Sequence, residues 1–158
     1  MGLDMYLNKK IYVGAQWGNT KGINYLIDTR TNEEIEINVD MITSIKEQAI
    51  YWRKANMIHK WFVDNVQEGE DNCKEYYVEV NQLRELLDLC EQVSNDHSLA
   101  PQLLPVQEGF FFGSYEYDNY YFEEIEYTIT ELKKLLEDYD KHNETTKKRI
   151  DYSYQSSW

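Results

Sequence analysis

Apolar and polar positions alternate over residues 3–13, with Met5, Leu7, Ile11 and Val13 on the apolar side, and this predicts a strand. Gly14 and the Trp17-Gly18-Asn19 stretch then break the pattern into a loop. Residues 23–28 and 34–39 alternate in the same way around Thr29-Arg30-Thr31-Asn32, as expected of a hairpin. Ser44 with Glu47 three residues later has the form of a capping box, and the positions that follow are helix-compatible as far as Val66. On a helical wheel Tyr51, Trp52, Ala55, Ile58, Phe62 and Val63 fill one arc, Ile50, Met57 and Trp61 a second, and Arg53, Asn56 and Lys60 a narrow polar stripe. The expected element is a long central helix over residues 44–66, wrapped by the rest of the fold.

Beyond a polar loop at 67–72 and a short strand at 76–80, Asn81 opens a helix whose Leu83, Leu86, Leu87, Cys90 and Val93 share a face, with Asn95 and Asp96 ending it. Pro101 and Pro105 bracket a loop, and residues 109–114 read as a short aromatic strand between glycines. A helix over 119–139 places Ile125, Ile129, Leu132 and Leu136 inward and acids outward. In residues 141–158 the bulky apolar groups are Ile150, Tyr152, Tyr154 and Trp158, read as unevenly spaced and preceded by Lys147, Lys148 and Arg149; a loosely ordered tail is expected. The fold class is α+β. A small, mainly antiparallel N-terminal sheet packs on the long central helix, with two further helices near 81–94 and 119–139, all within one domain, residues 1–140.

The 158 residues suit a single domain, and 42% apolar residues with only 2 Pro and 7 Gly exclude a disordered or fibrous class. No apolar run is long enough to cross a membrane, and no basic stretch followed by an apolar one opens the chain, so a cytoplasmic protein without membrane contact is expected. The pair Cys73 and Cys90 fits buried small side chains better than a disulfide. Charge changes the picture more. The net charge is −13, and residues 64–140 hold 20 acids against four bases, whereas 1–63 and 141–158 are slightly basic. Such a field repels nucleic-acid phosphates and attracts basic protein surfaces.

Chemistry is sought where composition is unusual. Tyr115, Glu116, Tyr117, Asp118, Tyr120, Glu123 and Glu124 interleave aromatic and acidic side chains, the combination of rigid contact area and electrostatic steering that protein recognition uses. The polar stripe of Arg53, Asn56 and Lys60, facing Phe111 and Ser114, suggests an alternative site where cations hold a phosphate and an aromatic ring stacks a base. His59 lies at the edge of an aromatic arc and fits a buried hydrogen-bonding histidine. A zinc site from His59, Cys73, Cys90 and His97 lacks any close ligand pair. No phosphate loop, nucleophile elbow or zincin motif occurs, and no cofactor is called for.

The opening Met1-Gly2-Leu3-Asp4-Met5-Tyr6-Leu7, the Trp52 to Phe62 stretch, Gly69-Glu70-Asp71-Asn72-Cys73 and the Gly109 to Tyr121 stretch resemble a family of small acidic proteins met in phages and prophages. The resemblance runs from Met1 to about Leu136 and carries no catalytic residue over. It implies a protein that binds and blocks a host or immune component. The expected function is a non-enzymatic counter-defence inhibitor in the host cytosol, engaging a basic, nucleic-acid-binding partner protein through the acidic aromatic surface. The alternative is a small-ligand protein that sequesters or hydrolyses a nucleotide.

Overall fold

The opening alternation becomes β1 (Asp4–Tyr12), with Met5 and Leu7 buried and Asp4 and Tyr6 half-buried on the opposite face. This computed structural model describes residues 2–14 and 25–158; the expectations for Trp17-Gly18-Asn19 and for the start of the hairpin at Ile23 lie outside those residues. β2 (Tyr25–Asp28) and β3 (Glu33–Glu36) form the predicted hairpin as a separate two-stranded sheet. The main sheet is antiparallel, in the order β4 (Ser44–Arg53), β1, β6 (Ile150–Ser157), β5 (Tyr76–Val78).

The long central helix is a strand followed by a shorter helix. Residues Ser44–Arg53 form β4, paired with β1 from Asp4↔Arg53 to Tyr12↔Ser44, and α1 covers only Asn56–Asn65. Both wheel arcs crossed the joint between two elements. Ile50 and Trp52 face the core while Tyr51 and Arg53 face away, a period of two. Lys54 then takes a φ of 61°, outside either regular region, and the chain turns into the helix. The register slips between Leu7 and Asn8, leaving Ala49 as the extra residue of a bulge.

The tail expectation is also overturned. After the single turn of α5 (Glu144–Lys147), β6 (Ile150–Ser157) runs between β1 and β5 (Tyr76–Val78), so it is an interior strand with both edges paired. Ile150, Tyr152, Tyr154 and Ser156 are spaced by two and all buried. The domain therefore extends to residue 157, and half of the main sheet comes from outside the N-terminal third.

The helices cover one face of the sheet. Tyr154 stacks on Phe62 of α1 at 3.9 Å between ring centroids, and Trp52 donates its indole N–H to Thr128 Oγ1 of α4 (Asn119–Lys141) at 2.9 Å. The apolar face of α2 (Val80–Asn95), with Leu83, Leu86, Cys90 and Val93, packs with Ile125, Ile129, Leu132 and Leu136 of α4 in the same core. Trp52 and Trp61 are both buried. The stretch between Pro101 and Pro105, expected as loop, contains one helical turn, α3 (Ala100–Leu103), which Pro101 suits because its missing N–H has no partner to lose there. No described helix is long and apolar enough to cross a membrane.

Candidate functional site

The aromatic acidic stretch lies where the 105–118 loop enters α4. Asp118 is the N-cap, its carboxylate accepting from the Tyr121 backbone N–H at 3.0 Å, so its charge complements the helix dipole. Tyr117 is half-buried against Tyr121, whose hydroxyl donates to Leu104 O at 2.7 Å. The exposed tyrosines are tethered. Tyr115 donates to Gly109 O at 2.8 Å, Tyr120 to Arg53 O at 2.5 Å and Tyr127 to Tyr51 O at 3.1 Å. The last two hydroxyls reach the backbone of β4, an outer strand of the sheet, and hold the helix against it.

Glu116 and Glu123 are exposed, while Glu124 is half-buried. Burial pushes the Glu124 carboxyl up from the ordinary range, with the Tyr120 hydroxyl opposing and Glu123 adding to the rise. Tyr120 is itself pushed up to about 12, by burial first and then by the Glu124 charge. Beside Glu123, a shallow cleft of about 560 Å³ is lined by His97, Asn119, Phe122 and Glu126, with the His97 ring stacked on Phe122 at 3.7 Å. Glu123 borders this cleft, while Glu116, Asp118 and Tyr120 border a separate small cavity together with the exposed Lys54.

The alternative site does not assemble. Arg53 ends β4 instead of sharing a helix face with Asn56, and Lys60 pairs with Asp64 at 2.9 Å. Asn56 does face the Phe111 and Ser114 segment, as expected, but its amide is spent on backbone: Nδ2 donates to Phe112 O at 3.0 Å and to Ser114 O at 2.8 Å, and Oδ1 accepts from Gln107 N at 3.2 Å. Residues 109–114 form a turn, not the expected strand, because Phe112 N–H bonds back to Gly109 O at 3.1 Å and Gly113 takes a φ of +94°. Phe111 is half-buried, and the Ser114 hydroxyl accepts from Glu116 N–H. The cavity bounded by Lys54, Asn56, Ser114 and Tyr120 measures about 10 Å³, room for about one water and not for a nucleotide.

Beneath the turn lies His59, fully buried. Its Nε2 is 3.0 Å from Asp71 Oδ2 and its Nδ1 is 2.8 Å from the Tyr154 hydroxyl. An ionised carboxylate only accepts, so Nε2 carries the proton and Nδ1 accepts from Tyr154. Asp71 also accepts from the Trp158 indole at 3.1 Å, and the Phe112 ring sits edge-on to His59 at 5.2 Å. One histidine thus ties β6 and two loops to α1. Burial holds the His59 pKa below its ordinary 6.5, with Asp71 opposing. The folded protein binds this proton less tightly than the unfolded chain, so stability falls as pH drops below about 6.5 and continues to fall down to the lower folded value. Urea midpoints between pH 7.5 and about 5 are expected to show this slope, and His59→Gln, which keeps a donor and an acceptor, to flatten it. An unchanged slope would contradict the assignment.

Cys73 and Cys90 are both free thiols, and Cys90 is buried. Among the described residues no group of three or more His, Cys, Asp or Glu is placed to hold a metal. The sequence reading missed Phe110, which is 93% exposed, and Tyr127 and Trp158, both partly exposed. A period-3.6 extension of the Tyr120 position through α4 would have found Tyr127; nothing local marks Phe110 or Trp158. Compared with protein-family models, curated proteins and solved structures, the chain matches none.

Proposed function

We propose that the chain is a non-enzymatic binding protein that engages a basic partner protein through the surface formed by Tyr115, Glu116, Tyr117, Tyr120, Glu123 and the outer face of α4. The observation that carries this reading is the tethering of Tyr115, Tyr120 and Tyr127 by their hydroxyls on an acidic surface. Rings held in place give contact area without further loss of rotamer freedom, and the carboxylates around them steer a positive surface into register. A nucleic-acid-binding protein of the host or its immune machinery has such a surface. With the sequence resemblance to phage and prophage proteins, the reading is that of a counter-defence inhibitor acting in the host cytosol.

The test is salt-dependent capture of soluble host protein, compared between wild type and the pair Glu116→Lys with Glu123→Lys. Asp118 and Glu124 are left alone, since one caps α4 and the other is half-buried beside Tyr120. Capture is expected to weaken for wild type as salt rises from about 50 to 500 mM, over which the Debye length shrinks to a few Å. The double reversal is expected to cost at least tenfold in affinity at low salt without shifting the melting temperature by more than about 2 °C. Binding indifferent to both changes sinks the proposal.

A further inference from the structure

The three consecutive phenylalanines have different fates. Phe112 is buried against His59 and Trp158, Phe111 is half-buried against the core, and Phe110 is 93% exposed. A slack loop would fold such a ring back onto its own surface, but this turn is pinned on both sides of it. Tyr115 donates to Gly109 O and accepts from Gly109 N–H at 3.3 Å, Leu3 N–H donates to Phe111 O at 3.2 Å, and Asn56 holds Phe112 O and Ser114 O. A Cβ at Gly109 would lie 2.6 Å from the Phe112 ring, so glycine is needed to close the turn. The backbone is therefore fixed in a form that keeps one aromatic ring in water.

Its neighbours extend the display. Phe111 lies edge-on to Phe110 at 4.8 Å, Tyr115 is partly exposed, and Glu108 and Glu116 are exposed on either side in sequence. We propose that Phe110 is the anchor with which this chain docks into an apolar cup rimmed by lysine and arginine on its partner protein. The inference rests on the reading of the adjoining surface as partner-binding, and adds the residue on which specificity turns and the chemistry of the pocket that takes it. Rigid aromatic side chains that enter a pocket unaccompanied by loop ordering are the groups that carry most of an interface. Glu108 and Glu116, which outnumber Lys54, the exposed cation packed against the turn beside Gly113, favour a basic rim and oppose insertion into an anionic lipid surface.

The experiment places a benzophenone amino acid at Phe110 in the full chain and irradiates it with the soluble protein and membranes of a bacterial cell at low salt. An adduct with one protein is expected, its crosslinked peptide apolar and flanked by Lys or Arg. Against that protein once purified, Phe110→Ala is expected to weaken binding at least tenfold while leaving the melting temperature within about 2 °C, as suits a side chain with almost no contacts to lose. An adduct with lipid, no discrete adduct, or a large loss of melting temperature overturns the anchor. If Phe110→Ala binds within twofold of wild type while the Glu116→Lys, Glu123→Lys pair does not, the anchor falls and the acidic surface stands. If neither matters, both fall.

Discussion

Truncation after His142 is expected to leave a chain that does not fold. The deletion removes β6, which pairs with β1 from Asp4↔Ser157 to Ile11↔Ile150 and with β5 from Tyr76↔Tyr154 to Val78↔Tyr152, so β4-β1 and β5 are left as separate pieces. It also removes Ile150, Tyr152 and Tyr154 from the core, together with the stack on Phe62. Losing a single large buried aromatic costs about 3–5 kcal/mol, and a domain of this size has about 5–15 kcal/mol in all. With two such aromatics, Ile150 and two ladders gone, the sum reaches or exceeds the total. Circular dichroism and a thermal melt of the 1–142 chain check it: a cooperative transition within a few degrees of the full-length protein would show that β6 is dispensable. The point variant Tyr154→Ala, which keeps the strand, is expected to lose about 3–5 kcal/mol by itself, since it also orphans His59 Nδ1.

The residues that misled the sequence reading did so for physical reasons. β1, α2 and α4 were legible because each has one buried face, and the period of two or 3.6 survives in the residues themselves, whereas the hairpin, whose β3 is exposed throughout, was legible from its alternation around the Thr29-Arg30-Thr31-Asn32 turn. In β4 only Ile50 and Trp52 are buried, and the preceding Ser44, Ile45, Lys46, Glu47 and Gln48 are not, so the strand period has too few turns to show against the aromatic arc of α1. The tail was read by its share of bulky apolar side chains, with Ile150, Tyr152, Tyr154 and Trp158 taken as unevenly spaced, although the first three alternate. Their spacing of two was the usable signal. Ordering the tail costs backbone entropy, and besides side-chain burial the hydrogen bonds that an interior strand makes on both edges offset it. Within the candidate site, the acids and tyrosines were visible from composition. Which of three phenylalanines points outward was not, because Leu3, Asn56 and Tyr115 decide it from three separate parts of the chain.

Asn56 carries the second large effect, and it separates the two functional readings. Its side chain is 3% exposed and makes three hydrogen bonds to the backbone of the 105–118 segment. Asn56→Ala leaves the Phe112 and Ser114 carbonyls and the Gln107 N–H without that partner, in a space of about 10 Å³ that admits little water. The expected loss is about 2–4 kcal/mol, from two or three buried groups losing a partner at about 1–3 kcal/mol each with partial relaxation. Asn56→Asp is expected to cost at least as much, since a carboxylate still accepts from Gln107 but places charge within about 3 Å of two carbonyl oxygens it cannot donate to. Both variants are expected to raise amide hydrogen exchange across residues 107–115 and to release the Phe110 ring from its display, so partner binding falls with stability. A nucleotide-holding asparagine behaves in the opposite way: its loss leaves the melting temperature of the free protein unchanged and abolishes a rise on adding nucleotide. Urea unfolding, exchange and a nucleotide thermal-shift series on the same two variants distinguish these outcomes, and a loss below about 1 kcal/mol with exchange unaltered would remove Asn56 as the clasp of the turn.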